Sequence, residues 1–188
     1  MSNQWTQAGL RETDKPFELG IQGHGFFVLE GLHGEEQFTR YGEFRLNEEG
    51  FLTHTSSGQR LLGFCDGHLE PIKLADFAND PGDESHSSES IVKSYRTDFN
   101  GEVTAIYANG HVHPTCTIVL ALFYDSSQLK RSGVHVLIAT KGARDGFIDK
   151  PKLFGRGVIY SHTLEEMDAE IYKVNLKGTG VDRLSRKK

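Results

Sequence analysis

Two cysteines, Cys65 and Cys116, are all that a chain of 188 residues contains. Two thiols make no disulfide framework, and they close a four-ligand zinc site only with the help of several histidines. They are expected to stand unpaired, as buried or half-buried thiols. Long apolar runs are also missing. The longest covers residues 118–124, whereas a membrane-crossing helix needs about 20 apolar residues, so no membrane insertion is expected. The first residues include Asn3, Gln4, Thr6, Gln7, Arg11, Glu12, Asp14 and Lys15, without the roughly 7–15-residue apolar stretch of a secretory signal. Clustered lysine and arginine occur only in the last dozen residues, which argues against a nucleic-acid partner.

What is present fits one β-rich domain. Apolar residues make up 37% of the chain without counting its 21 glycines, enough for a real core and too many for a disordered chain. The net charge of −5 hides an asymmetry. Residues 177–188 carry five basic side chains against Asp182, so this tail is +4 and residues 1–176 carry −9. Residues 76–89 hold five carboxylates, three serines, Pro81 and Gly82 with no lysine or arginine, the composition of a solvated loop.

Strand patterns dominate residues 17–160. Runs rich in β-branched and aromatic residues, at 26–29, 37–41, 51–54, 91–97, 103–107, 115–124, 134–140 and 158–160, alternate with glycine and asparagine turns. Asn100-Gly101 and Asn109-Gly110 predict two successive hairpins over residues 91–122, through type I′ turns with positive φ at both residues. The fold class is all-β, an elongated multi-hairpin domain with a short C-terminal helix.

Helical pattern is confined to two places. Ser126 is a possible cap for a short helix ending near Gly133. Thr163-Leu164-Glu165-Glu166 has the form of a capping box, and Leu164, Met167, Ile171 and Val174 follow at helical spacing. These predict a closing helix over 163–175, whose apolar stripe is a possible interface. The domain then runs over 1–175, and 176–188 is a basic, flexible tail.

No reactive constellation stands out. Gly23-His24-Gly25 lacks the third glycine of a dinucleotide loop and is followed by strand residues. His111, His113 and Cys116 are weak candidates for a metal site, on the ground that alternate strand residues share a face; Pro114 interrupts them. Asp98-Phe99-Asn100-Gly101 lacks the later acidic ligand of a calcium loop. Neither G-x-S-x-G nor H-E-x-x-H occurs. No catalytic residue, cofactor or resident metal is therefore expected, and the chain is read as a non-enzyme.

Several blocks in a fixed order carry a resemblance. They are Leu19-Gly20-Ile21-Gln22-Gly23-His24-Gly25-Phe26-Phe27-Val28, Phe38-Thr39-Arg40-Tyr41-Gly42-Glu43-Phe44-Arg45-Leu46-Asn47, Gly50-Phe51-Leu52 and Gly58-Gln59-Arg60-Leu61-Leu62-Gly63. In these the chain resembles the flagellar hook and rod protein family, over about residues 4–171. The motif residues have structural reasons of their own. Gly20, Gly23 and Gly25 permit a tight entry into Phe26 and Phe27, whose alternation serves both faces of a sheet. Thr39 and Arg40 precede a bend at Gly42, Arg40 can pair across strands or with a carboxylate, Phe44 and Leu46 return to the core, and Leu61, Leu62 and Gly63 are likewise read as residues that build the β domain.

The resemblance implies a structural, self-assembling axial subunit of the flagellar rod or hook, acting in motility. Its partners would be other axial proteins or copies of itself. It would be exported to the periplasmic rod or extracellular hook without a cleaved signal. The family's long terminal helices are expected to be missing or shortened here, so the chain alone is expected to be a monomer or weak oligomer. The short segment between Gly63 and Ser94 points to the rod type rather than the hook type. His24 stands where the family commonly has Asp. The alternative is a repurposed core that no longer polymerises, serves as an interaction module in a secretion or envelope assembly, and stays cytoplasmic if it is not exported.

Overall fold

The computed structural model describes residues 8–74, 92–123, 129–140 and 147–166. In chain order the strands are β1 (Leu10–Glu12), β2 (Leu19–Gln22), β3 (Phe26–Glu30), β4 (Glu36–Thr39), β5 (Phe44–Leu46), β6 (Leu52–His54), β7 (Leu62–Cys65) and β8 (His68–Pro71). There follow β9 (Val92–Thr97), β10 (Glu102–Tyr107), β11 (Val112–Ile118), β12 (Leu120–Leu122), β13 (Leu129–Gly133), β14 (Val136–Ala139), β15 (Phe147–Asp149), β16 (Val158–Ser161) and β17 (Thr163–Glu165). A short 3-10 turn occupies Leu153–Gly155. Among the described residues no helix is long and apolar enough to cross a membrane.

Two larger sheets and three two-stranded ribbons carry these strands. One sheet has the order β13-β14-β4-β3-β12-β15, the other β8-β7-β11-β10-β9, and the ribbons are β1-β17, β16-β2 and β5-β6. The fold is all-β.

Period-two alternation explains the core. On β3, Phe27 and Leu29 enter one apolar cluster, together with Leu19, Ile21, Phe44, Leu61, Ile118 and Leu120. Phe26 and Val28 point the other way into a second cluster with Phe38, Val119, Ala121 and Leu137. Successive side chains on a strand face opposite sides, so a strand covered on both faces reads as an unbroken apolar run. The longest run in the sequence has the same cause. Ile118 ends β11 in the five-stranded sheet and Leu120 opens β12 in the six-stranded one. The chain passes from sheet to sheet at Val119 with both faces buried.

The two Asn-Gly hairpins form as expected, β9 to β10 and β10 to β11, but the turns are not type I′. Positive φ falls on Gly101 and Gly110, at 78° and 85°, and on neither asparagine. The Gly101 amide donates to the Asp98 carbonyl at 3.0 Å, and the Asp98 amide to the Glu102 carbonyl at 3.1 Å. This is a three-residue loop closed by a left-handed glycine. The Asp98 carboxylate accepts from the amides of Asn100 and Glu102 at 2.8 and 2.9 Å, which accounts for its calcium-loop lettering.

Both helix expectations fail where the structure tests them. Thr163, Leu164 and Glu165 form β17, antiparallel to β1, with Leu10 opposite Glu165 and Glu12 opposite Thr163. Strand pairing satisfies backbone groups that the first turn of a helix leaves open, and it buries Leu164. Met167, Ile171, Val174 and the tail 176–188 lie outside the described residues. Near Ser126 the expected helix is replaced by β13, which pairs with β14 around a turn where His135 takes a φ of 62°; Ser126 itself lies outside the described residues.

Candidate functional site

Polar side chains converge where the glycine-rich segment between β2 and β3 meets the end of β4. Arg40 follows β4 directly and turns inward. Its Nη1 donates to the carbonyls of Gly23 and Gly25 at 2.9 and 2.7 Å, and its Nη2 to the Ile21 carbonyl at 3.0 Å. Nε and Nη2 also donate to the two Glu165 carboxylate oxygens at 2.8 and 3.1 Å. A guanidinium has five N–H donors, and each of these five contacts takes one. Glu165 Oε1 accepts the Ala8 amide as well, at 3.2 Å. A single side chain thus ties the β2–β3 segment to β17, and through Glu165 to the N-terminal segment. Arg40 and Glu165 side chains are 14% and 11% exposed, so water screens the pair little.

A second arginine holds the other side of the same segment. Arg156 is buried. Its Nε and Nη1 donate to the Leu120 and Leu153 carbonyls at 2.9 Å each, and its Nη2 donates to the Phe147 carbonyl. Burial pulls its pKa below the ordinary arginine value, against the Asp149 carboxylate. Next to it, the Gly157 amide donates to the His24 carbonyl at 2.7 Å.

Between these anchors the motif residues do packing work. Gly42 is buried, its carbonyl accepts the Leu19 amide at 2.8 Å, and a Cβ there would lie 1.9 Å from the Leu19 carbonyl oxygen. Phe27 meets Phe44 edge-on at 5.2 Å. Leu61 joins the first apolar cluster and Leu62 the second. Gly63 lies under Ile72, whose Cδ1 would be 2.7 Å from an added Cβ. Thr39 is buried, and its hydroxyl accepts the Tyr41 amide at 3.0 Å. Gly20 pairs with Tyr160 across β2 and β16, and Gln22 is exposed, accepting the Tyr160 hydroxyl at 2.9 Å.

His54, at the end of β6, is wholly buried, with Nδ1 2.8 Å from Ser57 Oγ. Burial, and then the His135 charge, pull its pKa down to about 4. It is therefore neutral near pH 7, packed against the rings of Tyr41 and Phe44 at 6.1 and 5.9 Å.

The candidate metal set does not survive intact. Cys116 on β11 stands opposite Cys65 on β7, and the two are joined as a disulfide. The expectation of unpaired thiols is wrong: antiparallel register brings together two residues 51 positions apart, with Cα atoms 4.4 Å apart. A half-cystine has no thiolate to offer a metal. His111 and His113 are exposed on the β10–β11 hairpin, and among the described residues no group of three His, Cys, Asp or Glu side chains is placed to hold a metal ion.

Of the two pairings open to Arg40 in the sequence, across strands or with a carboxylate, the structure shows the carboxylate; neither Glu165 nor Arg156 was legible. The sequence signal for Arg156 is its place between Gly155 and Gly157, which lets a long side chain fold back onto the backbone.

This geometry is that of a folding brace, and known proteins are similar to this chain over the stretch that holds Arg40 and its carbonyl partners. Residues 20–105 match the family model of the flagellar hook protein FlgE/F/G D1 domain. The flagellar hook protein FlgE of Borreliella burgdorferi is 34% identical over 76 residues, 40% of this chain and 17% of the relative. The flagellar basal-body rod protein FlgG of Buchnera aphidicola is 25% identical over 171 residues, 88% of this chain and 56% of the relative. Over residues 20–105 the chain carries a domain of the flagellar hook and rod protein family. Within that family FlgE of Brucella abortus is 40% identical over 57 residues, 30% of this chain and 14% of the relative. The matched part of the chain thus spans less than a fifth of these hook proteins and just over half of the rod protein. The matched domain starts at Gly20, so Arg40 and the carbonyls of Ile21, Gly23 and Gly25 fall inside it, while Glu165 and Arg156 lie beyond it.

Proposed function

We propose that this chain is a structural subunit of the flagellar axis, of the rod type, that assembles with other axial proteins or with copies of itself and acts in motility. The observation that carries the reading is the reach of the FlgG similarity, which extends over 88% of the chain rather than over the β2–β3 motif alone. The brace and the β1-β17 ribbon support it. The Glu166 amide donates to the Gly9 carbonyl at 2.7 Å, so both ends of the described body sit side by side, where flanking segments can act together. The organisation is 1–175 as the body and 176–188 as a basic tail. No catalytic step and no resident metal belong to the reading, and Gly20 to Gly63 motif residues act as builders of the fold.

The working place is outside the cytoplasm, in the periplasmic rod or the extracellular hook. The Cys65–Cys116 bond supports this, because disulfides persist in oxidising compartments and are rare in the reducing cytoplasm. Alone at micromolar concentration the chain is a monomer or weak dimer. Deleting the gene in its host tests the function. Non-motile cells with interrupted axial structures, restored by the wild-type gene, are expected. Unchanged motility with complete basal bodies would overturn the reading in favour of a non-polymerising interaction module.

A further inference from the structure

We infer that Cys65 and Cys116 form a solvent-addressable thiol–disulfide exchange site, a dithiol in a reducing compartment that is closed by a neutral or cationic disulfide once the protein meets an oxidising one. The inference is independent of axial assembly.

Position explains what the bond controls. The β7–β8 hairpin joins the β9–β10–β11 meander through three register pairs, Cys65 with Cys116, Phe64 with Thr117 and Gly63 with Ile118. The other seams of that sheet have four or five pairs. The bond therefore crosses the shortest seam. Cys65 and Cys116 are two members of the first apolar cluster, which also holds Phe27, Leu29, Phe44, Ile118 and Leu120; with those contacts and the second cluster remaining, the reduced chain keeps its fold and loses the clasp.

Access comes from an open depression of about 390 Å³ on the surface, with Cys116 in its wall beside Phe64 and Thr117. Cys65 and Cys116 are each 8% exposed and belong to the first apolar cluster, so a reagent reaches them only by way of the depression, on the Cys116 side. Asp66, Glu102 and Lys150 line the same depression, two carboxylates against one ammonium. Anionic disulfides are repelled there, and neutral or cationic ones are not.

The chemistry balances without a cofactor. The Cys116 thiolate attacks one sulfur of the incoming disulfide, RSSR, forming a mixed disulfide and expelling RS⁻, which takes up a proton. The Cys65 thiolate then attacks Cys116 Sγ and expels the second RS⁻. Two protein thiols lose two electrons and two protons, and RSSR becomes two RSH. Cys116 is the entry residue because it lines the depression; Cys65 resolves.

The test uses the full chain, reduced and freed of reductant. Iodoacetamide should alkylate Cys116 in the folded protein before any denaturant is added. Cystamine, which is cationic, should reclose the bond several-fold faster than oxidised glutathione, which is anionic. That difference should shrink in high salt and in Asp66→Asn/Glu102→Gln. Reduction should lower Tm by roughly 10 °C while leaving a cooperative transition. Cys65→Ser should accumulate a mixed disulfide at Cys116. If that variant does not fold, alkylation and reoxidation of the wild-type chain still decide. Thiols that react only after unfolding, a Tm unmoved by reduction, or equal rates with the two probes at low salt would each overturn the proposal.

Discussion

Arg40 and Glu165 stand 125 positions apart in the chain and share two hydrogen bonds, at 2.8 and 3.1 Å. The pair closes the molecule, because Arg40 also takes three carbonyls of the β2–β3 segment and Glu165 sits on the strand opposite Leu10. Removing one partner of a little-exposed ion pair leaves the other charge without compensation, and Arg40→Ala or Glu165→Ala should cost about 3 kcal/mol. Arg40→Lys should not restore it, since three rotatable donors cannot serve five acceptor contacts. Urea unfolding of the three variants checks this; equal stability of Arg40→Lys and wild type would mean the fork is dispensable.

Phe27 and Phe154 should mark the two extremes of aromatic replacement. Phe27 is fully buried against Phe44, and Phe27→Ala should cost about 3 to 5 kcal/mol. Phe154 is 82% exposed, and Phe154→Ala should stay within about 0.5 kcal/mol of wild type. Thermal melts of both proteins give the comparison directly.

Two glycines should respond to alanine for different reasons. At Gly42 the new methyl meets the Leu19 carbonyl oxygen, whose amide neighbour is held by Gly42 itself, so β2 must shift. At Gly34 nothing lies within 4 Å and only the φ of 81° opposes a side chain, at about 1 to 2 kcal/mol. Gly42→Ala should therefore be the more destabilised in chemical denaturation. The reverse order would mean that β2 moves freely.

Acid should weaken the fold in a defined window because of His54. Its folded pKa is about 4 against an ordinary 6.5, so the unfolded chain takes up a proton first. The stability it supports is complete above pH 6.5 and is lost as pH falls toward 4. Two and a half pKa units correspond to about 3 kcal/mol at most. Burial and the Arg131 charge lower the His135 pKa in the same sense. Unfolding measured from pH 7.5 to 4 should show this fall in the wild type and a shallower one in His54→Phe. Parallel curves would remove His54 as the cause.

Local pattern and long-range pairing were legible in different degrees. The alternation of Phe26, Phe27, Val28 and Leu29 shows a strand buried on both faces, and Asn100-Gly101 and Asn109-Gly110 show where the hairpins turn. The turn type is not legible from Asn-Gly alone, because Gly101 takes positive φ without Asn100, with the Asp98 carboxylate holding the loop. Thr163 and the glutamates after it carry the letters of a helix start, yet the letters also suit a strand whose partner, β1, is about 150 residues away. The same distance hides Glu165 from Arg40. The Cys65–Cys116 bond was illegible because register across β7 and β11, and not spacing, brings the sulfurs together. Side chains whose partners are neighbours in sequence could be read; those that staple distant strands could not.

Electron cryo-microscopy of rod and hook particles isolated from the host tests the central claim most directly. The expected result is a repeating axial subunit whose density fits the six-stranded and five-stranded sheets, with Arg40 against Glu165 inside each copy. Axial density fully explained by other chains, with this protein absent from the purified particles, would contradict it.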